Sequence, residues 1–277
     1  MATLTQQRSP LNHPWRIASL VAVVTNATFG FAEAHLMPGP SVAEVSDRYA
    51  NPSTPAGYAF AIWGLIYGAT FAYAVFALLP AQLRVRMHDR TAPWLTLLNA
   101  LAIAWILLFS AEQLMASLLV VSAMLAASAV CYVIASQHLD SERLPHWWRA
   151  PFSLWLGWIG VAAVANLGAV ITAAGWDGMP ISSTLWATLM VLLVAVAASI
   201  VNVAFGDGIV PLVVAWAAVA IAAAHFHEST LLGIVAAVVA FKATFWGATT
   251  FVLSLFPIPH HYRVIAARAA RYSPKAA

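Results

Sequence analysis

Residues 55–67, Pro55-Ala-Gly-Tyr-Ala-Phe-Ala-Ile-Trp-Gly-Leu-Ile-Tyr67, carry a polar loop into an apolar helix and set aromatic rings at helical spacing at the junction. Phe60, Trp63 and Tyr67 are three and four residues apart, so on a helix they line one side. Pro55 stands before the helix and Gly57 lets the chain turn into it. The apolar run continues to residue 79, a length that crosses a bilayer, for which about 20 residues suffice.

The rest of the chain repeats that choice of solvent. Hydrophobic residues make up 62% and charged residues 8%, against roughly 25% charged in an average soluble domain. Apolar runs at 15–38, 57–79, 93–111, 113–136, 150–175, 184–205, 209–226 and 230–256 predict an all-α polytopic bundle of eight helices, or seven if the short seventh run is not a span. Charge sorts by side when both termini are placed in the cytoplasm. Arg8, Arg16, Arg84, Arg86, Arg90, Arg143, Arg149, Arg263, Arg268, Arg271 and Lys275 then fall inside, and only Arg48 falls outside. The positive-inside rule favours that arrangement. Basic residues scattered through short loops exclude a nucleic-acid partner. A Gly-rich phosphate loop, a Gly-x-Ser-x-Gly elbow and paired mid-depth carboxylates are all missing, which argues against hydrolases and nucleotide-driven pumps.

The longest connection between spans, residues 39–56, is rich in proline and acid and reads either as a lid or as a solvated connector. On the inner side, Pro145-His-Trp-Trp-Arg149 places tryptophans at interfacial depth. The segment 257–277, with His260 and His261, reads as a basic tail on anionic lipid. Cys131 is the one cysteine, so no intrachain disulfide can form. Ala32-Glu33-Ala34 after an apolar run resembles a signal-peptidase site, but Asn26 within that run favours a retained helix.

The 55–67 motif resembles the opening of the second helix in the TspO/MBR family, the tryptophan-rich sensory proteins related to the translocator or peripheral benzodiazepine receptor. Leu98-Asn99 with Trp105 on the third helix is similar to a second family site, and Pro151-Phe-Ser-Leu-Trp155 with Gly157-Trp158 and Asn166 on the fifth to a third. The six-residue spacing from Asn99 to Trp105 departs from the family's one turn, and Asn166 is displaced as well. The resemblance implies a five-helix bundle over 15–176, preceded by a cytoplasmic segment 1–14 and followed by about three further helices in 177–256. The chain looks like a longer, bacterial-type branch of the family, which implies a bacterial inner membrane. The resemblance also implies binding of a porphyrin, haem-like or other hydrophobic molecule, with transport, sensing or slow porphyrin breakdown as its use, and pairing into homodimers; the missing catalytic motifs favour a binding protein over an enzyme. Gly157 and Gly160 could serve such pairing or internal packing equally.

Aromatic faces suit a flat tetrapyrrole, and indole adds a donor for a carboxylate or carbonyl. Trp63, Tyr67, Trp105, Trp155 and Trp158 are the candidate walls, Tyr58 and Phe60 the mouth, and Asn99 and Asn166 the polar handles; the bland alternative is ring packing between helices. Lys242 falls midway along the last run, where a lysine costs about 2.5–3.5 kcal/mol on insertion scales. It reads either as an interior lysine bonded to Asn26 or Asn166, or as a counter-ion, proton-coupled site or Schiff base. His225, His227 and Glu228, with Glu33 and His35 on the same side, are suitable metal or haem ligands or a solvated turn. Together with Lys242 they define the alternative of a membrane enzyme or pigment-processing protein.

Overall fold

The computed structural model describes residues 13–36, 38–176 and 180–255, and these form helices and turns. In chain order the helices are α1 (Pro14–Leu36), α2 (Val42–Arg48), α3 (Ile62–Phe76), α4 (Arg86–Ser110), α5 (Leu114–Ser141), α6 (Ala150–Ala173), α7 (Ser183–Phe205), α8 (Ile209–His225) and α9 (Thr230–Leu255). Among the described residues, seven segments are long and apolar enough to cross a membrane, α3 together with the 3-10 turn before it being one, and α8 is a shorter apolar helix. The chain is therefore an integral membrane protein with the expected order of spans. The segments 1–12 and 257–277, with His260 and His261, lie outside the described residues.

Two departures from the sequence reading are local. The connection 39–56 contains α2, built by a capping box in which Ser41 accepts from the Glu44 N–H and Glu44 reaches back to the Ser41 N–H. The third span starts at Arg86, not at Pro93, so Arg86 and Arg90 are helical. Pro93, which has no N–H for the carbonyl one turn back, is accommodated inside the helix, and the Glu142 carboxylate accepts from the Arg86 N–H at the start of the helix.

α1 packs on α3 and α4, α4 on α5, α5 on α6, and α6 on α3, which closes a five-helix bundle. α8 joins the last three helices to it, since it packs on α6 and α9 while α7 lies against α8 and α9. Gly157 supports that joint: a Cβ there would press into Val213 of α8, so this glycine serves internal packing. Gly160 has open space beside it.

At the end of the bundle away from α2, two buried arginines hold the chain breaks. Arg16 donates to the carbonyls of Ala77, Gln82 and Val85 at 2.7, 3.0 and 2.9 Å, and to Asp89 Oδ1 at 2.7 Å. Arg149 pairs with Asp207 at 3.0 Å and donates to Ser136 Oγ and the Phe205 carbonyl, with its guanidinium over the Tyr132 ring. Asp207 also accepts from Ser153 Oγ at 2.6 Å and from the Ile209 N–H at 2.8 Å, which caps α8. Replacing Arg149 with Met strands Asp207 as a buried, unpaired charge. A loss of about 3–5 kcal/mol is expected, read as a lower unfolding midpoint in detergent, and Asp207→Asn added to Arg149→Met is expected to recover part of it.

Candidate functional site

The aromatic helix face selected by the sequence closes around two adjoining cavities at the α2 end of the five-helix bundle. The larger, about 240 Å³, lies between α1, α3 and α4, with Phe31, Glu33, Trp63, Tyr67 and Trp105 among its walls. The smaller, about 40 Å³, lies between α4, α6 and the 42–55 segment, with Phe60, Trp63, Trp105, Phe109, Trp158 and Asn166 on its lining. Val42, Phe60, Trp63 and Trp105 border both, so these side chains partition one aromatic cleft.

Trp63 is the hub. Its indole stacks on Tyr67 at 5.4 Å, meets Trp155 edge-on at 5.5 Å, and meets Trp158 edge-on at 6.3 Å. Phe60 is likewise edge-on to Trp158. Helical spacing carries these rings into the cleft because Ile62, Ile66 and Thr70 on the neighbouring strip of α3 are buried among the other helices. Trp105 donates its indole N–H to Asn166 Oδ1 at 2.8 Å, and Ser117 shares that oxygen, so α4, α5 and α6 fix the ring's plane. The spacing of Asn99 from Trp105 thus loses its importance, since Trp105 takes its asparagine from α6.

Three of the expected residues stand outside the cleft. Trp155 is fully buried behind Trp63, and its N–H goes to Thr70 Oγ1 at 3.0 Å. Asn99 accepts from Asn26 at 2.9 Å and bonds its own helix, so it ties α1 to α4. Tyr58 is exposed and edge-on to Trp216 of α8. Lys242 differs most from expectation: it is exposed on the outer surface of α9 beside Phe241 and Phe245, not in the interior. Of its expected acceptors, Asn166 Oδ1 is taken by Trp105 and Ser117, and Asn26 is buried between α1 and α4, donating to Asn99.

The 42–55 segment roofs the cleft, with Val42, Ser46, Tyr49, Thr54 and Pro55 on the lining. It is fastened at four places. Glu33 Oε1 accepts from the Val42 N–H at 3.1 Å. Arg48 pairs with Glu112, and the Tyr49 hydroxyl donates to the same carboxylate at 2.7 Å. His225 bonds the Thr54 carbonyl through Nε2 at 2.9 Å and Glu228 through Nδ1 at 3.2 Å. The Asn51 side chain fills the space that a Cβ on Gly168 would need. Glu112 takes a left-handed backbone, φ 57°, to turn from α4 into α5 and present its carboxylate to the roof. Its hydrogen bond with Tyr49 pushes that phenol above its ordinary range, while the Ser41 N–H holds the Glu44 carboxyl below its own. Sequence reading missed Tyr49 and Glu112, whose only signal was a polar Ser-Ala-Glu-Gln break between two apolar runs. His225 and Glu228 act here as a roof fastening, and no three His, Cys, Asp or Glu among the described residues are grouped to hold a metal.

Another, apolar groove of about 600 Å³ between α5, α6 and α7 has almost no polar atoms with which to orient a ligand. The roofed aromatic cleft inside a helical membrane bundle therefore defines the class: a polytopic membrane protein with an intramembrane chamber beneath a connecting segment. The model of the TSPO-like protein family matches residues 15–249, and the chain belongs to that family. The match continues through α7 and α8 into α9, past the five-helix portion that carries the motifs. No curated protein and no solved structure matches the chain.

Glu112→Gln is expected to loosen the roof by removing the charge that Arg48 and Tyr49 share. Amide hydrogen exchange over residues 42–49 should quicken about fivefold, the equivalent of about 1 kcal/mol for a half-exposed pair, with little change in α4 and α5.

Proposed function

We propose that the protein binds a hydrophobic, ring-bearing small molecule in the roofed cleft, and that the roof governs its passage to or from the membrane. The observation that carries this reading is that Trp63, Tyr67, Trp105 and Trp158, from three helices, border open space even where they pack against one another. Rings in a close-packed core fill volume, whereas these leave a chamber large enough for a substituted single ring, since benzene occupies an apolar cavity of about 150 Å³. Binding and release, with transport or sensing as the outcome, form the role. The site lies on the side opposite Arg16 and Arg149, which is the outer side if both termini are cytoplasmic in a bacterial inner membrane.

A tetrapyrrole, the ligand implied by the family resemblance, is larger than either chamber. It requires them to merge, and rotation of Trp63 out of the shared partition would allow that. Protein in lipid nanodiscs is expected to show saturable tryptophan quenching by the neutral heavy-atom probe 1-bromonaphthalene. The saturable component should weaken at least tenfold in Trp63→Ala. Protoporphyrin, tested in parallel, reads the merged state: saturable quenching extends the ligand class to macrocycles, and quenching that only rises linearly restricts it to smaller rings. Linear quenching by both probes would remove the ligand-site reading.

A further inference from the structure

The larger chamber holds one carboxylate and no balancing cation. Glu33 lies on the last turn of α1 and lines the cavity; its Oε1 accepts from the Val42 N–H, while its Oε2 is buried with no hydrogen-bond partner among the described residues. Lysine, arginine and histidine are all missing from the lining. Its other side-chain polar groups are neutral donors, the indoles of Trp63 and Trp105 and the Tyr67 hydroxyl, the last set against the α1 backbone at Gly30, where only the missing Cβ gives it room. The other walls are rings: Phe31 edge-on to Tyr67 at 5.4 Å, Trp63 stacked on Tyr67, and Trp105 opposite.

A carboxylate oxygen taken from water without a partner is costly, and several influences around it favour positive charge. The C-terminal end of α1 contributes the negative pole of its helix dipole. Indole and phenol faces attract cations through their quadrupoles, most strongly where water is excluded. An acid beside such faces is an arrangement that recognises an organic ammonium, because Coulomb attraction and ring contact act on the same group. A carboxylate-bearing ligand would instead bring like charge to Glu33.

We infer that the 240 Å³ chamber selects a cationic amphiphile, an amine or quaternary ammonium group joined to an apolar ring or chain, with Glu33 as its counter-ion and Trp63, Tyr67 and Trp105 around the charged head. This rests on the reading of the cleft as a ligand site and specifies the ligand's charge. It also couples the ligand to the roof. The carboxylate that meets the ammonium is the one that holds the first N–H of α2, so occupancy and roof position share one group.

The test uses two probes of nearly the same shape, benzyltrimethylammonium and its uncharged carbon analogue neopentylbenzene, as competitors of 1-bromonaphthalene quenching in zwitterionic nanodiscs. Benzyltrimethylammonium is expected to compete at least tenfold more strongly on the unaltered protein. Glu33→Gln should erase that preference while 1-bromonaphthalene still binds, and Glu33→Asp should leave a reduced preference. Should Glu33→Gln fail to fold, the two-probe comparison on the unaltered protein and on Glu33→Asp decides, since drawing the carboxylate back by one methylene should lower the preference for the cation. Equal competition by the two probes on the unaltered protein, or a preference that survives Glu33→Gln, would overturn the inference and leave the ligand site standing. If 1-bromonaphthalene itself shows no saturable binding, the ligand-site reading fails and this inference with it.

Discussion

Where a transmembrane chain turns, its helices leave carbonyls and amides without partners, and a hydrocarbon medium supplies none. Arg16 and Arg149 answer that constraint at the same end of the molecule. Each is a five-donor fork with one aspartate to balance its charge, Arg16 set among three carbonyls and Arg149 between the Phe205 carbonyl and the Ser136 hydroxyl. Arg16 gathers the end of α3 and the start of α4 onto α1. Arg149 gathers α5, α6 and the turn from α7 into α8. Because Asp207 also caps α8, the second cluster joins the five-helix bundle to the helices that follow it.

That rigid floor lets the opposite end be irregular. The connection from α1 to α3 can leave the helical ladder, form a short capped helix and lie over a cavity because the helices beneath it are fixed elsewhere. The roof is held by side-chain contacts from α1, the α4–α5 turn, α6 and α8, each individually weak compared with the buried floor. Segments that must move to admit ligands are drawn from the less stable parts of a structure. This distribution puts the less stable parts where the rings meet open space.

Much of this architecture is legible in the sequence, because a bilayer demands long apolar runs and punishes interruption. The breaks at Ser110-Ala-Glu-Gln113 and Gly206-Asp-Gly208 are visible for that reason, and so is the aromatic strip of α3. Pro93 misplaced the start of α4, since a proline that ends a helix and one tolerated inside it look alike until the neighbouring turn is known. The Ser41 and Glu44 pair was a readable helix start, masked by prolines on both sides. Lys242 shows the limit of periodicity: α9 is apolar on every face, so no pattern tells its inner side from its outer. Which asparagine serves Trp105 is also a matter of helix packing, since Asn166 is distant in sequence and adjacent in space.

The contact between Asn51 and Gly168 has an evolutionary side. The amide occupies the volume that a Cβ at 168 would claim, so a side chain there requires Asn51 to turn away and give up its bonds with Tyr49 and Ser53. Selection at one position is therefore felt at the other, although they are remote along the chain.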